Sequence, residues 1–440
     1  MKELLLISDT KENKISFYHL VMLMASLPFD LFYSHIILIS FTLHTLIHLK
    51  KDRLRSLRSL RMLILPSVLF VTIIATIYTI NVPAAFTEWT LRIPVLLFPI
   101  LFSLNELDLK KYKQKLLLIF SLVCTATVFF LCVEAFITIR YYHLPLNAIF
   151  AEGFTNHNFS GPINIHATFF SFQLVIALVN LLCLLMQGVP SKKLKLFYTI
   201  CSLILLCGII QLSSKSIFFV LLIAVNIVLP YYSLNGKNKK VFILAGLGIS
   251  LIVATCILSI PIFRERYVTL LKDDVSANKK EPRNSDSRIE RWLVAAERIK
   301  AKPLAGYGSG SEIGLLKDDF YNAKLYSSFL YGLNCHNQYI SFLLKSGVWG
   351  LLVYLLTLGY GIKASVKKKD GLFVCFMLVI IIVSFTENIL DMDKGVMFYS
   401  FFFSFFIFSD VEDQIVNKGK LTPHDYLSPV ATNELTVTSY

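Results

Sequence analysis

Long apolar runs separated by short polar stretches dominate the chain, near residues 15–28, 31–49, 61–80, 91–104, 114–139, 164–187, 194–212, 214–232, 240–262, 338–362, 371–389 and 394–409. A helix crosses a bilayer with roughly 20 apolar residues, or somewhat fewer when neighbours help. The pattern therefore predicts an all-α polytopic membrane protein of about twelve transmembrane helices. Pro28 and Pro94 interrupt the weakest runs, and 91–104 is short. Residues 263–337 break the rhythm as one long polar loop. Within it, 271–287 reads as flexible and 288–302 as an amphipathic helix with Ile289, Trp292, Leu293, Ala296 and Ile299 on one face. Ser285 and Asp286 precede that helix as candidate caps. Asn81 to Arg92, with Trp89 among polar residues, is read equally well as an interfacial segment or an ordinary loop. The organisation expected is an N-terminal bundle of about nine helices (1–262), the loop (263–337), about three C-terminal helices (338–410) and a polar tail (411–440) expected to be disordered.

Charge tests this count. Lys and Arg cluster in alternate loops: Lys2, Lys11 and Lys14; Lys50 to Arg61; Lys110 to Lys115; Lys192 to Lys195; Lys237 to Lys240; Lys363 to Lys369. The short loops between hold almost none, so positive-inside bias puts both termini in the cytoplasm and the 263–337 loop outside. Long loops translocate largely regardless of charge, which accommodates the Lys and Arg inside this one.

Composition agrees. With 55% hydrophobic and only 16% charged residues, the chain is too apolar for water-soluble domains. Its net charge of +14 is spread through orientation clusters rather than gathered in a phosphate-binding stripe, so no nucleic-acid partner is expected. The 36 Phe and 20 Tyr suit lipid-facing surface and headgroup anchoring. Most of the eight Cys lie in apolar runs without ligand spacing, which argues against disulfides and structural zinc. No small-residue cleavage site follows the first apolar run, which is read as a retained helix.

Ionisable residues near a membrane are costly and commonly functional. By this topology Arg92, Arg140, His166, Lys215, His336 and Glu387 all reach one external face from separate helices. For Arg92 and Arg140 the simpler reading is an interfacial anchor whose charge snorkels to the headgroups. Glu387, in SFTENIL, and Lys215, in QLSSKSIFF, gain little from anchoring. Glu134, deeper in the fifth run, is either a packed carboxyl or a partner for one of the cations. The sharpest local pattern is HNQYISFLLKSGVWG (336–350), in which His336 and Asn337 open a helix and Gly347 and Gly350 allow close packing. An imidazole there can take a proton from an incoming hydroxyl. GYGSG has neither a preceding strand nor a following Lys-Ser/Thr, so it is read as a flexible turn rather than a phosphate loop. Cys335 and His336 are chain neighbours, poorly disposed to act together on one substrate.

These features resemble the O-antigen ligase and polymerase family of membrane glycosyltransferases. Its H-[NSQ]-x9-G-x2-[GTY] element matches at His336, Asn337, Gly347 and Gly350. The stretch 287–310 is similar to the family's loop pattern, which puts the loop arginine on Arg288 and glycines on Gly306, Gly308 and Gly310. SSKS (213–216) resembles the family's Ser-Arg turn, with Lys215 where arginine is usual. Lys is a point charge and cannot grip a diphosphate bidentately. The family's downstream acidic position looks like Glu387, with Asp391 close enough to compete.

The resemblance implies a GT-C-like bundle in the bacterial inner membrane with a periplasmic site and no cofactor or metal. No acidic DxD pair stands out as suited to a nucleotide diphosphate. It also implies inverting transfer of a glycan from a polyprenyl-diphosphate carrier to an acceptor hydroxyl, with lipid A-core as first choice. A growing polysaccharide or an exported protein's Ser/Thr are the alternative acceptors. On this reading His336 is the base and Glu387 its support. Arg288, Lys215 and Arg291 bind the diphosphate, and Asn337, Gly347, Gly350, Arg140 and Arg92 assist. A lipid-linked glycan flippase is the rival class, but it should show related halves and charges at the bilayer midplane, and the sequence shows neither.

Overall fold

The computed structural model describes residues 2–29, 31–189, 191–234, 236–269, 271–272 and 286–409. The Ser285 cap, most of the 271–287 stretch and the 411–440 tail lie outside the described residues. Every element among the described residues is helical. A helix underlies each of the twelve apolar runs, and among the described residues six are long and apolar enough to cross a membrane: Val82–Leu104, Leu109–Tyr141, Ala167–Gln187, Lys192–Leu212, Lys215–Ser233 and Gln338–Lys367. A seventh is reached if Phe32–Ile47 is joined to Lys51–Arg58, across a bend of 118°. Six or seven spans are thus clear among the described residues. Pro66 separates Leu60–Ile64 from Ser67–Thr76, and Gly371–Val383 stops at a turn well before residue 389. Asn81 caps the helix Val82–Leu91 through its side chain, and that helix runs on as part of a candidate span rather than as a separate surface segment.

The final helix, Asp393–Phe408, is the hub of the bundle. From Gly395 to Phe408 it is buried throughout. Its phenylalanines ladder along the helix, with Phe401 stacked on Phe405, and meet rings from its neighbours. Phe398 lies 4.3 Å from Phe172, Phe402 4.9 Å from Phe120, and Phe401 5.3 Å from Phe98. These aromatics therefore fill the core instead of the lipid-facing surface suggested by composition. Tilted and edge-on ring pairs add about 0.5–1.5 kcal/mol each beyond area burial.

The polar loop folds against this bundle. Its main helix, Arg288–Ala301, starts with a reciprocal capping box between Ser287 and Glu290. Asp286 is not the cap, since it accepts the Ser328 backbone N–H at 2.6 Å. The buried face is also turned from the predicted one. Arg291 and Ala295 are buried, while Leu293 is 57% exposed and Ala296 is exposed. Trp292 and Ile299 still pack on the small core formed by Ala295, Tyr307, Leu316 and Phe320.

Beyond this helix the chain locks into a break in Gln338–Lys367, where Gly347 takes φ +61° and ψ −161°. In an unbroken helix the Leu344 carbonyl would accept from Val348. Here it accepts from Tyr307 at 2.9 Å, and the Val348 N–H donates to the Pro303 carbonyl at 2.9 Å. The Lys345 carbonyl accepts from Gly308 at 2.8 Å in the same exchange. GYGSG is accordingly a tight clip and not a flexible turn. A Cβ on Gly308 would sit 2.2 Å from Thr79 Cα, and one on Gly347 2.1 Å from the Leu304 oxygen. Glycine at 347 thus serves loop docking rather than the helix–helix approach expected from its spacing.

Candidate active site

Two clusters of charged side chains converge where the loop meets the bundle. The first is built on Glu387, which lies past the end of Gly371–Val383 in the turn leading to Asp393–Phe408. Its Oε2 is 3.0 Å from His336 Nδ1, and its Oε1 accepts from Arg288 Nη2 at 3.3 Å. His336 occupies the left-handed region at φ +48°, one residue before the Asn337 cap, whose side chain accepts from Tyr339 and Ile340. That backbone turn swings the imidazole out of the helix line, leaving it 26% exposed. Burial alone would raise the pKa of Glu387, but the His336 bond and charge, then Arg288 and His166, outweigh it and hold the carboxyl at about 2. A carboxylate on Nδ1 holds the proton there and leaves the Nε2 lone pair for a substrate hydroxyl.

Two further segments border this cluster. Ser216, beside Lys215, accepts from Thr386 Oγ1 at 3.2 Å, which brings the SSKS turn to the residue before Glu387. Ser213 opens that turn in the left-handed region at φ +50°. Just upstream, Gln211 Nε2 donates to the carbonyls of Ile149 and Phe154, tying the 146–166 loop to the turn. On that loop His157 and His166 meet edge-on at 4.1 Å between ring centres, and the charge of His166 reaches Glu387.

The second cluster is largely buried and centres on Asp391. Lys345 Nζ lies 2.9 Å from both Asp391 oxygens, 3.0 Å from Glu88 Oε1 and 3.6 Å from Glu312 Oε2. Arg92 Nη2 is 2.5 Å from Asp391 and 2.8 Å from Glu88, its Nε donates to the Leu390 carbonyl, and its Nη1 donates to Thr72. Asp391 is held far below the usual carboxylate range: burial opposes this, but Lys345 and then Arg92 prevail. Two cations thus face three carboxylates largely out of water, an arrangement that survives only when each member is paired.

The sequence-derived candidates divide between these places. His336, Glu387 and Arg288 meet directly, and the turn that carries Lys215 borders them through Ser216. Arg92 is 1% exposed and belongs to the second cluster, so it is neither an anchor at the headgroups nor part of the first constellation. Arg291 is buried in the face of its helix that packs inward. Arg140 is exposed near the end of Leu109–Tyr141 and makes no ion pair with either cluster. Gly350 serves the helix itself, since a Cβ there would lie 2.3 Å from Ser346 Cβ. Asp391, the rival acidic candidate, faces Lys345 instead of His336. Asp391-Met392-Asp393 does spell an Asp-x-Asp triplet that the sequence reading passed over. Its second carboxylate is 3.5 Å from His35, away from the first one's partners. The Cys335 thiol donates to the Asn337 carbonyl at 3.3 Å, and burial pushes its pKa up, so it forms no pair with the neighbouring imidazole.

Glu88, Glu312 and Lys345 were missed. Each is a single charge within a helical stretch, and the only available signal was Lys345 itself, an ammonium in the middle of an apolar run inside HNQYISFLLKSGVWG.

The O-antigen ligase family model matches residues 200–355, a stretch that includes Lys215, Arg288, Glu312, His336 and Lys345. Glu387, Glu88, Arg92 and Asp391 fall outside it. No curated protein matches the chain.

Proposed function

Taking the chain as a member of the O-antigen ligase family, and so as a glycosyltransferase-like membrane enzyme, we propose that it moves a glycan from a polyprenyl-diphosphate carrier onto an acceptor hydroxyl. Lipid A-core is the acceptor the family points to first. The observation that carries this reading is the sharing of one carboxylate, Glu387, between the His336 imidazole at 3.0 Å and the Arg288 guanidinium at 3.3 Å. A base and a phosphate-binding cation are thereby held side by side.

The chemistry follows from these groups. His336 Nε2 removes the proton as the acceptor oxygen attacks the anomeric carbon, while Glu387 stabilises the imidazolium that forms. The bond from that carbon to the carrier's diphosphate breaks, and the negative charge released falls to Arg288 and Lys215, with Arg291 behind them. One displacement inverts the anomeric centre. Arg288 touches Glu387 through a single nitrogen, so its planar fork retains donors for phosphate oxygens. We place this site at the periplasmic face of the bacterial inner membrane, with both termini cytoplasmic, because charge alternation supports that orientation.

The direct test is transfer activity of His336→Ala and Arg288→Ala proteins that insert normally. Each is expected to lose transfer, and full activity in both would remove the assignment. Deleting the gene separates acceptor classes. Loss of long-chain lipopolysaccharide with accumulating carrier-linked polymer indicates ligation, whereas cores capped by one repeat indicate polymerisation.

A further inference from the structure

Glu312 sits at the start of the loop helix Glu312–Asn322, 3% exposed, and reaches both chain segments that carry the imidazole–carboxylate pair. Its Oε1 accepts from the backbone N–H of Cys335, the residue before His336, at 3.0 Å. The same oxygen lies 3.3 Å from Nδ2 of Asn388, the residue after Glu387. Its Oε2 accepts from Ser341 Oγ at 2.5 Å and stands 3.6 Å from Lys345 Nζ. The helix bearing it is fixed in turn, because Ser311 Oγ donates to the Gly308 carbonyl within the glycine clip.

His336 arrives on the loop side of its helix and Glu387 on the turn between two C-terminal helices, 51 residues apart in sequence. A buried carboxylate bonded to the neighbour of each holds the two segments in register. We propose that Glu312 is a positioning residue which sets the geometry of the His336–Glu387 pair, with Lys345 as the cation that keeps its carboxylate in place. The proposal rests on the transferase reading above and adds a residue to it. Misplacing a base by about 1 Å can cost about 100-fold in rate while leaving substrate contacts intact.

The experiment uses the full-length protein in lipid nanodiscs, with undecaprenyl-diphosphate-linked O-antigen as donor and lipid A-core as acceptor. Glu312→Ala is expected to lower kcat about 100-fold with donor KM within about twofold. Glu312→Gln, which still offers a carbonyl to Cys335, should recover to within about tenfold of the parent. A kcat for Glu312→Ala within about twofold of the parent, or a loss confined to KM, overturns the proposal.

Asn388→Ala removes one of the two ties and keeps the Glu312 charge, so it decides the matter if Glu312→Ala fails to fold. Its kcat is expected to fall, and an unchanged kcat in Asn388→Ala then overturns the proposal. Carbethoxylation of His336 by diethyl pyrocarbonate, followed by mass spectrometry, reads positioning without any turnover. The rate should rise several-fold in Glu312→Ala or Asn388→Ala, and equal rates in parent and variants count against the role. Should His336→Ala transfer glycan normally, the functional reading fails, yet the His336 reactivity still reports on Glu312.

Discussion

Lys345 Nζ lies 2.9 Å from both carboxylate oxygens of Asp391. The helix that begins beside the imidazole therefore carries, about two turns in, a buried cation tied to the turn that presents Glu387. Removing the ammonium leaves carboxylates uncompensated out of water. Lys345→Met is expected to destabilise the protein by about 3–5 kcal/mol. Adding Asp391→Asn should restore part of that loss, because the unpaired charge is then reduced. Thermal unfolding in detergent checks both, and equal midpoints for parent and Lys345→Met would show that the cluster contributes nothing.

The Glu387 carboxyl gives a pH signature. Its pKa falls from 4.5 to about 2 on folding. The ionised carboxylate thus contributes stability that is fully present above its unfolded value of 4.5 and is lost as pH drops toward 2. Glu387→Gln should be less stable than the parent by a constant margin above pH 5, with the two curves converging on acidification below about pH 4.5. A margin as wide at pH 3 as at pH 7 would contradict the assigned pairing. Activity of the variant should drop about 100-fold, since neither His336 nor Arg288 keeps its anion.

Gly347 tests the clip. Its backbone conformation is one that residues with a side chain enter at a cost of about 1–3 kcal/mol, before any clash with Leu304 is counted. Gly347→Ala is expected to lower the unfolding midpoint and raise proteolysis around 303–310. Gly359→Ala, in the same helix with open space around it, should be neutral or stabilising. Indistinguishable behaviour of the two variants would mean that the break carries no load.

Lys215 is a departure from the arginine usual at its turn. If it meets the diphosphate, Lys215→Arg should keep turnover within about threefold and tighten donor binding, whereas Lys215→Ala should lose at least about tenfold in kcat/KM. Steady-state kinetics with varied donor decide it, and a fully active alanine variant would place the charge outside the site.

How far the sequence revealed these arrangements depends on how local each one is. His336 and Arg288 belong to contiguous patterns, and both reach the cluster expected of them. Glu387 and Asp391 are four residues apart in one turn, so no spacing rule could tell which faces the imidazole; the three-dimensional path of that turn decides it. Arg92 sits at a junction next to Pro94 and reads as a boundary charge, because its partners Glu88 and Asp391 come from one helical turn back and from nearly 300 residues onward. The loop helix kept its place and capping logic, but the face it buries moved once Arg291 and Ala295 turned inward. Apolar run lengths located helices well. They do not tell lipid-facing helices from central ones, because Phe-rich segments such as Asp393–Phe408 owe their hydrophobicity to contact with other helices.

The exchange of hydrogen bonds at the Gly347 break also bears on how substrates get in. Peeling the 303–310 segment away would leave the carbonyls of buried Leu344 and Lys345 without partners, at a cost of about 1–3 kcal/mol for each group. That seam is thus a weld and not a hinge. On the proposed transferase reading, a lipid-linked donor and its acceptor would reach the imidazole from some other flank, with the welded side as a fixed wall beside them.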